Sequence, residues 1–417
     1  MIHPARLHYR RRAFQEVHKM KVVWHYRPER NWINDPNGLT HYKGWYHMFY
    51  QYNPHGDQWG DIHWGHARSR DLLTWETLPI ALTPDAAKGE LHCFSGGCCK
   101  DETGKPHFFY TSVGAEADSR DCTHGAQQWY AEPADDDLLT LIQTNENALL
   151  DDIHPGFHVR DWRDPCVLRH EGQYLMVLGG CVEEHGCVLL YTSGDMRNWT
   201  YRHILAVSDK ADGIPWECPN LVPVDGKFAL VYSPCTAVRV KTGTLDAALR
   251  FIEETDDILE PERNGFYAPQ TFTDEAGRVV VIGWLPESDN VPHKGWAGLM
   301  SLPRVMHITG DGLSMEPISG AEKLPGVQRV SIPREALPCT WTLHDNGEEC
   351  TLLTLSSDGT LTLDRSRSTL AAAPDRHPIT RSVPVKALND VFMAVDGSAV
   401  EVMVNGKWLT GRIYPEK

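Results

Sequence analysis

Gly172-Gln-Tyr-Leu-Met-Val-Leu178 states the pattern that organises the first three hundred residues: a glycine, then a short apolar run. The same unit stands at Gly44-Trp-Tyr-His-Met-Phe-Tyr50, Gly104-Lys-Pro-His-Phe-Phe-Tyr110, Gly226-Lys-Phe-Ala-Leu-Val-Tyr232 and Gly277-Arg-Val-Val-Val-Ile-Gly283. Successive copies lie 60, 68, 54 and 51 residues apart. Each run is rich in aromatic and β-branched residues and follows a turn residue, the composition of a strand. A period of that size leaves room for about four short strands per unit, and four-stranded units repeated radially make a β-propeller. Five copies predict five blades. Thr244–Leu259 is the best helical candidate, with weak periodicity, and long amphipathic helices are otherwise nearly absent. The predicted class is all-β.

A second feature stands eight to ten residues before each repeat glycine. It reads Asn34-Asp35-Pro36, Phe94-Ser95-Gly96, Arg163-Asp164-Pro165, Glu217-Cys218-Pro219 and Tyr267-Ala268-Pro269. Constant spacing from the strand puts these residues at one place in every blade. The first strand of a blade lines the central channel, so they should converge on one end of the axis. The prolines suit strands that begin there, where no ladder N–H is needed. Three of the positions hold a carboxylate: Asp35, Asp164 and Glu217. Crowded acids resist joint ionisation, so at least one pKa should rise, the condition for a general acid at neutral pH. Paired carboxylates about an acetal carbon are the machinery of glycoside hydrolysis. Arg163 is placed to hold Asp164 ionised or to grip a sugar hydroxyl. Asp before Pro also caps turns, a reading that suits any one of these acids better than all three at matched positions.

The composition narrows the partners. Asp+Glu outnumber Lys+Arg, 56 to 40, for a net charge of −16, which opposes binding to nucleic acid or an anionic membrane. No apolar run approaches the roughly 18 residues of a membrane helix. The first twenty residues carry Arg and His throughout and lack an apolar core, so a secretory signal is not expected. Eleven cysteines, an odd number, with several inside apolar runs, fit a reducing cytoplasm. No C-x-x-C or H-E-x-x-H spacing occurs, and no metal or other cofactor is expected.

These blocks resemble glycoside hydrolase family 32, the invertases and fructan hydrolases. Asn31-Trp32-Ile33-Asn34-Asp35-Pro36-Asn37-Gly38 is similar to the family's W-M-N-D-P-N-G block. The likeness continues, in the family's order, through Phe49–Pro54, Trp59-Gly60, His63–Ala67, Phe94-Ser95-Gly96, Trp162–Pro165, Trp216–Pro219, Phe266–Gln270 and Ile282-Gly283-Trp284. The resemblance implies a five-bladed propeller followed by a C-terminal β-sandwich. It implies Asp35 as nucleophile on the anomeric carbon of a fructosyl unit, Glu217 as acid/base, and Asp164 as stabiliser of the transition state through fructose hydroxyls. It further implies that Asn34, Gln51, Trp59, Phe94, Ser95, Arg163, Tyr267 and Trp284 line the fructose pocket, with Cys218 tuning the environment of the acid/base.

The expected organisation is an N-terminal extension at 1–30, the propeller at 31–305 and a shortened sandwich at 313–417. Leu361–Ser366, Asp396–Asn405 and Arg412–Pro415 resemble sandwich strand blocks. A short module predicts an unpaired edge or open apolar face, and with it a possible homodimer. Departures from the family at Gly97-Cys98-Cys99 and at Glu262-Arg263-Asn264-Gly265 are expected at the rim of the site, where substrate length and leaving group are chosen. The expected activity is retaining β-fructofuranosidase action on sucrose or short fructo-oligosaccharides. Sucrose 6-phosphate hydrolysis or fructosyl transfer would use the same site. An inverting arabinan-degrading propeller lacks these blocks, and a catalytically silent sugar-binding propeller would not need all three acids.

Overall fold

The computed structural model describes residues 21–114, 126–150, 156–209, 213–287, 295–310, 312–367, 380–384 and 390–414. The described residues form β-strands, turns and three 3-10 turns, with no α-helix among them. Five antiparallel sheets follow one another in the order of the repeat, and their first strands pack side by side around an axis. These inner strands are Asn31–Tyr42, the broken pair Glu90–Cys93 and Cys98–Lys100, Arg160–His170, Glu217–Val224 and Tyr267–Thr273. They open blades I to V in turn. The ring closes where Asn31 and Trp32 pair in parallel with Trp296 and Ala297 from blade V. This is the predicted five-bladed propeller.

The repeat glycines are the hairpin turns between first and second strands. All five have positive φ, from 75° at Gly44 and Gly277 to 85° at Gly104. In blades I, III and IV the preceding Lys43, Glu171 and Asp225 also have positive φ, the two-residue turn whose twist matches that of the flanking strands. A residue with Cβ pays heavily in that conformation, which is why the glycine recurs.

The prolines have a different reason from the one expected. The inner strands of blades I and III start upstream of Pro36 and Pro165, so these prolines do not mark strand beginnings. Register shifts fall between Ile33 and Pro36, Arg163 and Cys166, Glu217 and Asn220, and Tyr267 and Gln270. Pro165, Pro219 and Pro269 therefore sit in bulges and Pro36 at the end of one, where the ladder is already broken. The helical candidate at Thr244–Leu259 is also corrected. It contains the turn between strands Val238–Leu245 and Phe251–Glu260, whose pairing with the rest of blade IV overrides weak local periodicity.

Blade V continues through Gly312–Pro317, beyond residue 305, and the next strand is Val327–Ser331. The C-terminal part is a sandwich of two four-stranded sheets. Leu343, Leu353, Leu361 and Leu363 of one sheet meet Val391, Met393, Val402 and Leu409 of the other. The opposite face of the second sheet packs against the propeller through Phe392, Met403 and Trp408. The outer face of the first sheet is polar, with Thr340 bonded to Thr354 and Thr362 to Ser382. Of the two expected grounds for a homodimer, an unpaired edge or an open apolar face, the described residues of this sheet do not offer the face. Pro415 of the third expected block, and residues 1–20 of the expected extension, lie outside the described residues.

The segment after residue 20 is packed at the junction of propeller and sandwich. The backbone N–H groups of Val23, Trp24 and His25 all donate to the Asp396 carboxylate, at 2.7, 3.0 and 2.8 Å. The buried His25 ring bridges Asp396 at 3.0 Å and Glu401 at 2.8 Å. Arg304 completes the network, binding Glu401 at 2.5 Å and Glu260 at 2.8 Å. Burial opposes charge on His25, but the two carboxylates outweigh it and raise its pKa. The stability from that proton is present below the ordinary histidine range and is lost as pH rises through the raised value. Burial likewise opposes ionisation of Asp396 and Glu401, yet their partners hold both below the ordinary range; their share is lost only as pH falls through those lowered values. His25→Leu leaves two buried carboxylates short of a partner, so denaturant unfolding should show a loss of about 3 kcal/mol or more.

Candidate active site

Every blade delivers its inner-strand bulge to the same end of the axis. Backbone there is held in the left-handed region at Asp161, Asp164, Cys218, Cys235 and Ala268, with φ between 45° and 66°. Non-glycine residues rarely keep such angles unless the surroundings impose them, and they cluster at working sites. Asn34, Asp35, Gln51, Trp59, Phe94, Arg163, Asp164, Glu217, Tyr267 and Trp284 all line one cavity of about 480 Å³. Ser95 stands just beneath it, in a neck of about 10 Å³ that also touches Asp164. All eleven residues expected at the site are thus brought together.

Asp35 keeps an edge open to the cavity. Its Oδ2 accepts from Ser95 Oγ at 2.6 Å and from Gln51 Nε2 at 3.3 Å, and Oδ1 accepts from Asn34 Nδ2 at 3.2 Å. Asn34 is itself fixed by Trp32 Nε1 and Gln51, each at 2.8 Å. Burial raises the Asp35 pKa, with the charge of Glu217 adding to it, and the donors only partly compensate. Asp164 is buried, accepts from the Cys218 N–H at 2.8 Å and has Arg163 Nε at 3.8 Å. Burial pushes it up to about 7 despite Arg163, helped by Asp35.

Glu217 behaves differently. Its Oε1 accepts from Arg163 Nη2 at 2.7 Å, and its Oε2 accepts from Tyr267 Oη and from Cys235 Sγ at 3.1 Å. Burial favours its neutral form, but Arg163 and these donors prevail and hold it below the usual carboxylate range. The expected pKa rise is therefore found on Asp35 and Asp164 and not on the expected acid/base. Arg163 favours the charged form of Asp164, as expected, from 3.8 Å, but its shorter contacts are Glu217 at 2.7 Å and Asp161 at 2.6 Å. Cys218 touches the other two acids, with Sγ at 3.5 Å from Oδ2 of both Asp35 and Asp164.

Aromatic rings form the walls. Trp59 meets Phe94 edge-on with centroids 6.1 Å apart, and Trp284 meets Trp32 at 5.7 Å. Cys235, Arg263, Asn264, Gln58 and Glu287 also line the cavity and were not singled out as site residues from the sequence. Arg263 does fall in a departure expected at the rim. The other departure is misplaced: Gly97, Cys98 and Cys99 line a second cavity of about 260 Å³ below the neck. The neck pinches the channel between the two. Among the described residues no group of three or more His, Cys, Asp or Glu is arranged to hold a metal ion.

A propeller whose axial mouth carries three linked carboxylates between aromatic walls defines a class, the glycosidases. The chain belongs to glycosyl hydrolases family 32, whose N-terminal domain matches residues 25–317. A cell wall isozyme of beta-fructofuranosidase from Zea mays is 34% identical over 74% of this chain, which spans only 57% of that relative's length. A sucrose-6-phosphate hydrolase from Escherichia coli is 28% identical over 99% of this chain and 94% of its own. The solved structure of a beta-fructofuranosidase from Bombyx mori superposes with a TM-score of 0.79 at 26% identity, covering 95% of this chain and 89% of its own. In the described residues no helix is long and apolar enough to cross a membrane.

Proposed function

We propose that this protein is a retaining β-fructofuranosidase that cleaves terminal β-fructosyl linkages of sucrose or short fructo-oligosaccharides. The observation that carries the reading is the gathering of Asp35, Asp164 and Glu217 at the cavity floor, Cys218 bridging the first two and Arg163 lying between Glu217 and Asp164. In this mechanism Asp35 attacks the anomeric carbon and the glycosidic bond breaks, giving a fructosyl ester. Glu217 delivers its proton to the departing oxygen and later takes one from the water that hydrolyses the ester. Asp164 binds fructose hydroxyls and so stabilises the transition state. Incubation with sucrose and 1-kestose, followed by product chromatography, tests this: free fructose is the expected product. Binding of fructose without turnover would favour a silent sugar-binding propeller instead. The ten described cysteines are all free thiols, which supports a reducing, cytoplasmic setting.

Arg263 favours sucrose 6-phosphate as a second substrate. It lines the cavity beside Tyr267 and Cys235, the two residues that donate to Glu217, and so lies on the leaving-group side. Among the described residues it donates to the Cys235 carbonyl at 3.2 Å, and no carboxylate there pairs with it. A guanidinium without a carboxylate partner among the described residues suits an anionic leaving group. Arg263→Gln should lower kcat/KM for sucrose 6-phosphate about tenfold relative to sucrose, the worth of one charge-assisted bond. An unchanged ratio would discard this second reading alone.

A further inference from the structure

We infer that Arg412, in the last strand of the C-terminal sandwich, is a positioning residue for substrate binding, acting on the cavity through the wall segment Trp284–Glu287. Strand Lys407–Arg412 is paired within the sandwich and faces the propeller. The Arg412 side chain has no exposed surface. A buried guanidinium has five N–H groups to satisfy, and here nearly all point at one place. Nη2 donates to both Glu287 oxygens, at 3.2 and 2.9 Å. Nη1 reaches the carbonyls of Leu285 and Pro286 at 3.3 and 3.4 Å. Ser398, also of the sandwich, holds the remaining edge through its Oγ, 2.7 Å from Nη2 and 3.2 Å from Nε.

The gripped residues are those that follow Trp284 into the cavity wall. Trp284, Pro286 and Glu287 all line the cavity. Strand Val279–Leu285 ends there, and among the described residues the hydrogen bond that blade V gives to Glu287 is a long one, from the Gly298 N–H at 3.5 Å. Arg412 adds the closer contacts from the other domain. The carboxylate held there offers acceptors, suited to sugar hydroxyl donors. None of the three acids at the floor is touched by this clamp. Its loss should therefore act on binding of the sugar more than on bond breaking.

The inference rests on the fructosidase reading but fails separately from it, because the test compares variants of an active enzyme. Kinetics with sucrose and 1-kestose are measured for Glu287→Gln, Arg412→Lys and the double variant, alongside thermal unfolding. Glu287→Gln keeps the shape and sits at the cavity surface, so it tests the idea even if Arg412→Lys fails to fold. The expected result is a rise in KM of about tenfold in Glu287→Gln with kcat within about twofold, in line with loss of one charged acceptor. Arg412→Lys should raise KM similarly, and the double variant should be no worse than either single one, because both act through one unit. A structural role alone would lower the melting temperature of Arg412→Lys while KM per active enzyme stayed at the parental value. That result, or a parental KM in Glu287→Gln, overturns the inference.

Discussion

Asp35→Asn is expected to abolish fructoside cleavage while leaving the propeller intact. The amide cannot form the fructosyl ester, so the loss should exceed about 10⁴-fold, the upper end of what general acid–base help supplies. The fold should survive because the substitution removes charge from a crowded site without removing volume. Asn34 Nδ2 can still donate to the remaining oxygen, and the Ser95 hydroxyl can turn to accept from the new amide. Burial and Glu217 already push the Asp35 pKa upward, so the carboxylate is held at some cost in the free protein. Neutralising it should leave thermal stability unchanged or slightly improved, the usual exchange at a working site. Initial rates on sucrose, read beside a melting curve, check both halves. A purified, folded Asp35→Asn enzyme with parental turnover would remove Asp35 from the nucleophile's role.

The five-fold repeat was legible because two independent signals kept step, a hairpin glycine and a motif nine or so residues earlier. Backbone chemistry explains both: positive φ at Gly44, Gly172 and their counterparts, and a bulge that tolerates Pro36, Pro165, Pro219 and Pro269. The convergence of Asp35, Asp164 and Glu217 followed from that periodicity. What periodicity could not supply was the direction of side chains across blades. Arg163 stands next to Asp164 in sequence, yet the bulge turns its guanidinium to Glu217, 54 residues further on. Cys218 follows Glu217 but serves Asp35 and Asp164 for the same reason. Cys235 carries no local signal at all; it reaches Glu217 from the hairpin after the second strand of blade IV. Arg412 lies in another domain. Long-range contacts between units of different symmetry leave no period to read.

Glu217→Gln should cost about 10²–10⁴-fold on sucrose, the range of general acid–base catalysis, because a sugar alkoxide leaves poorly without a proton. The structure adds a prediction about pH. In the free protein Arg163 holds Glu217 low, while burial holds Asp35 high. The productive form needs the reverse, a proton on Glu217 and none on Asp35. The two acids interact through charge, so the two limbs of the kcat/KM profile belong to the pair rather than to single residues. With Glu217 replaced by Gln the acid/base has no proton to lose, so the alkaline limb that Glu217 sets should vanish. The acid limb should remain, with activity lost as pH falls through the raised pKa of Asp35. That limb should lie above the ordinary aspartate range. Arg163→Gln acts in the opposite sense: without its cation Glu217 keeps its proton to higher pH, and the alkaline limb should move upward. Profiles of kcat/KM for the three proteins on one substrate decide the matter. An alkaline limb that persists unchanged in Glu217→Gln would assign the proton to another group.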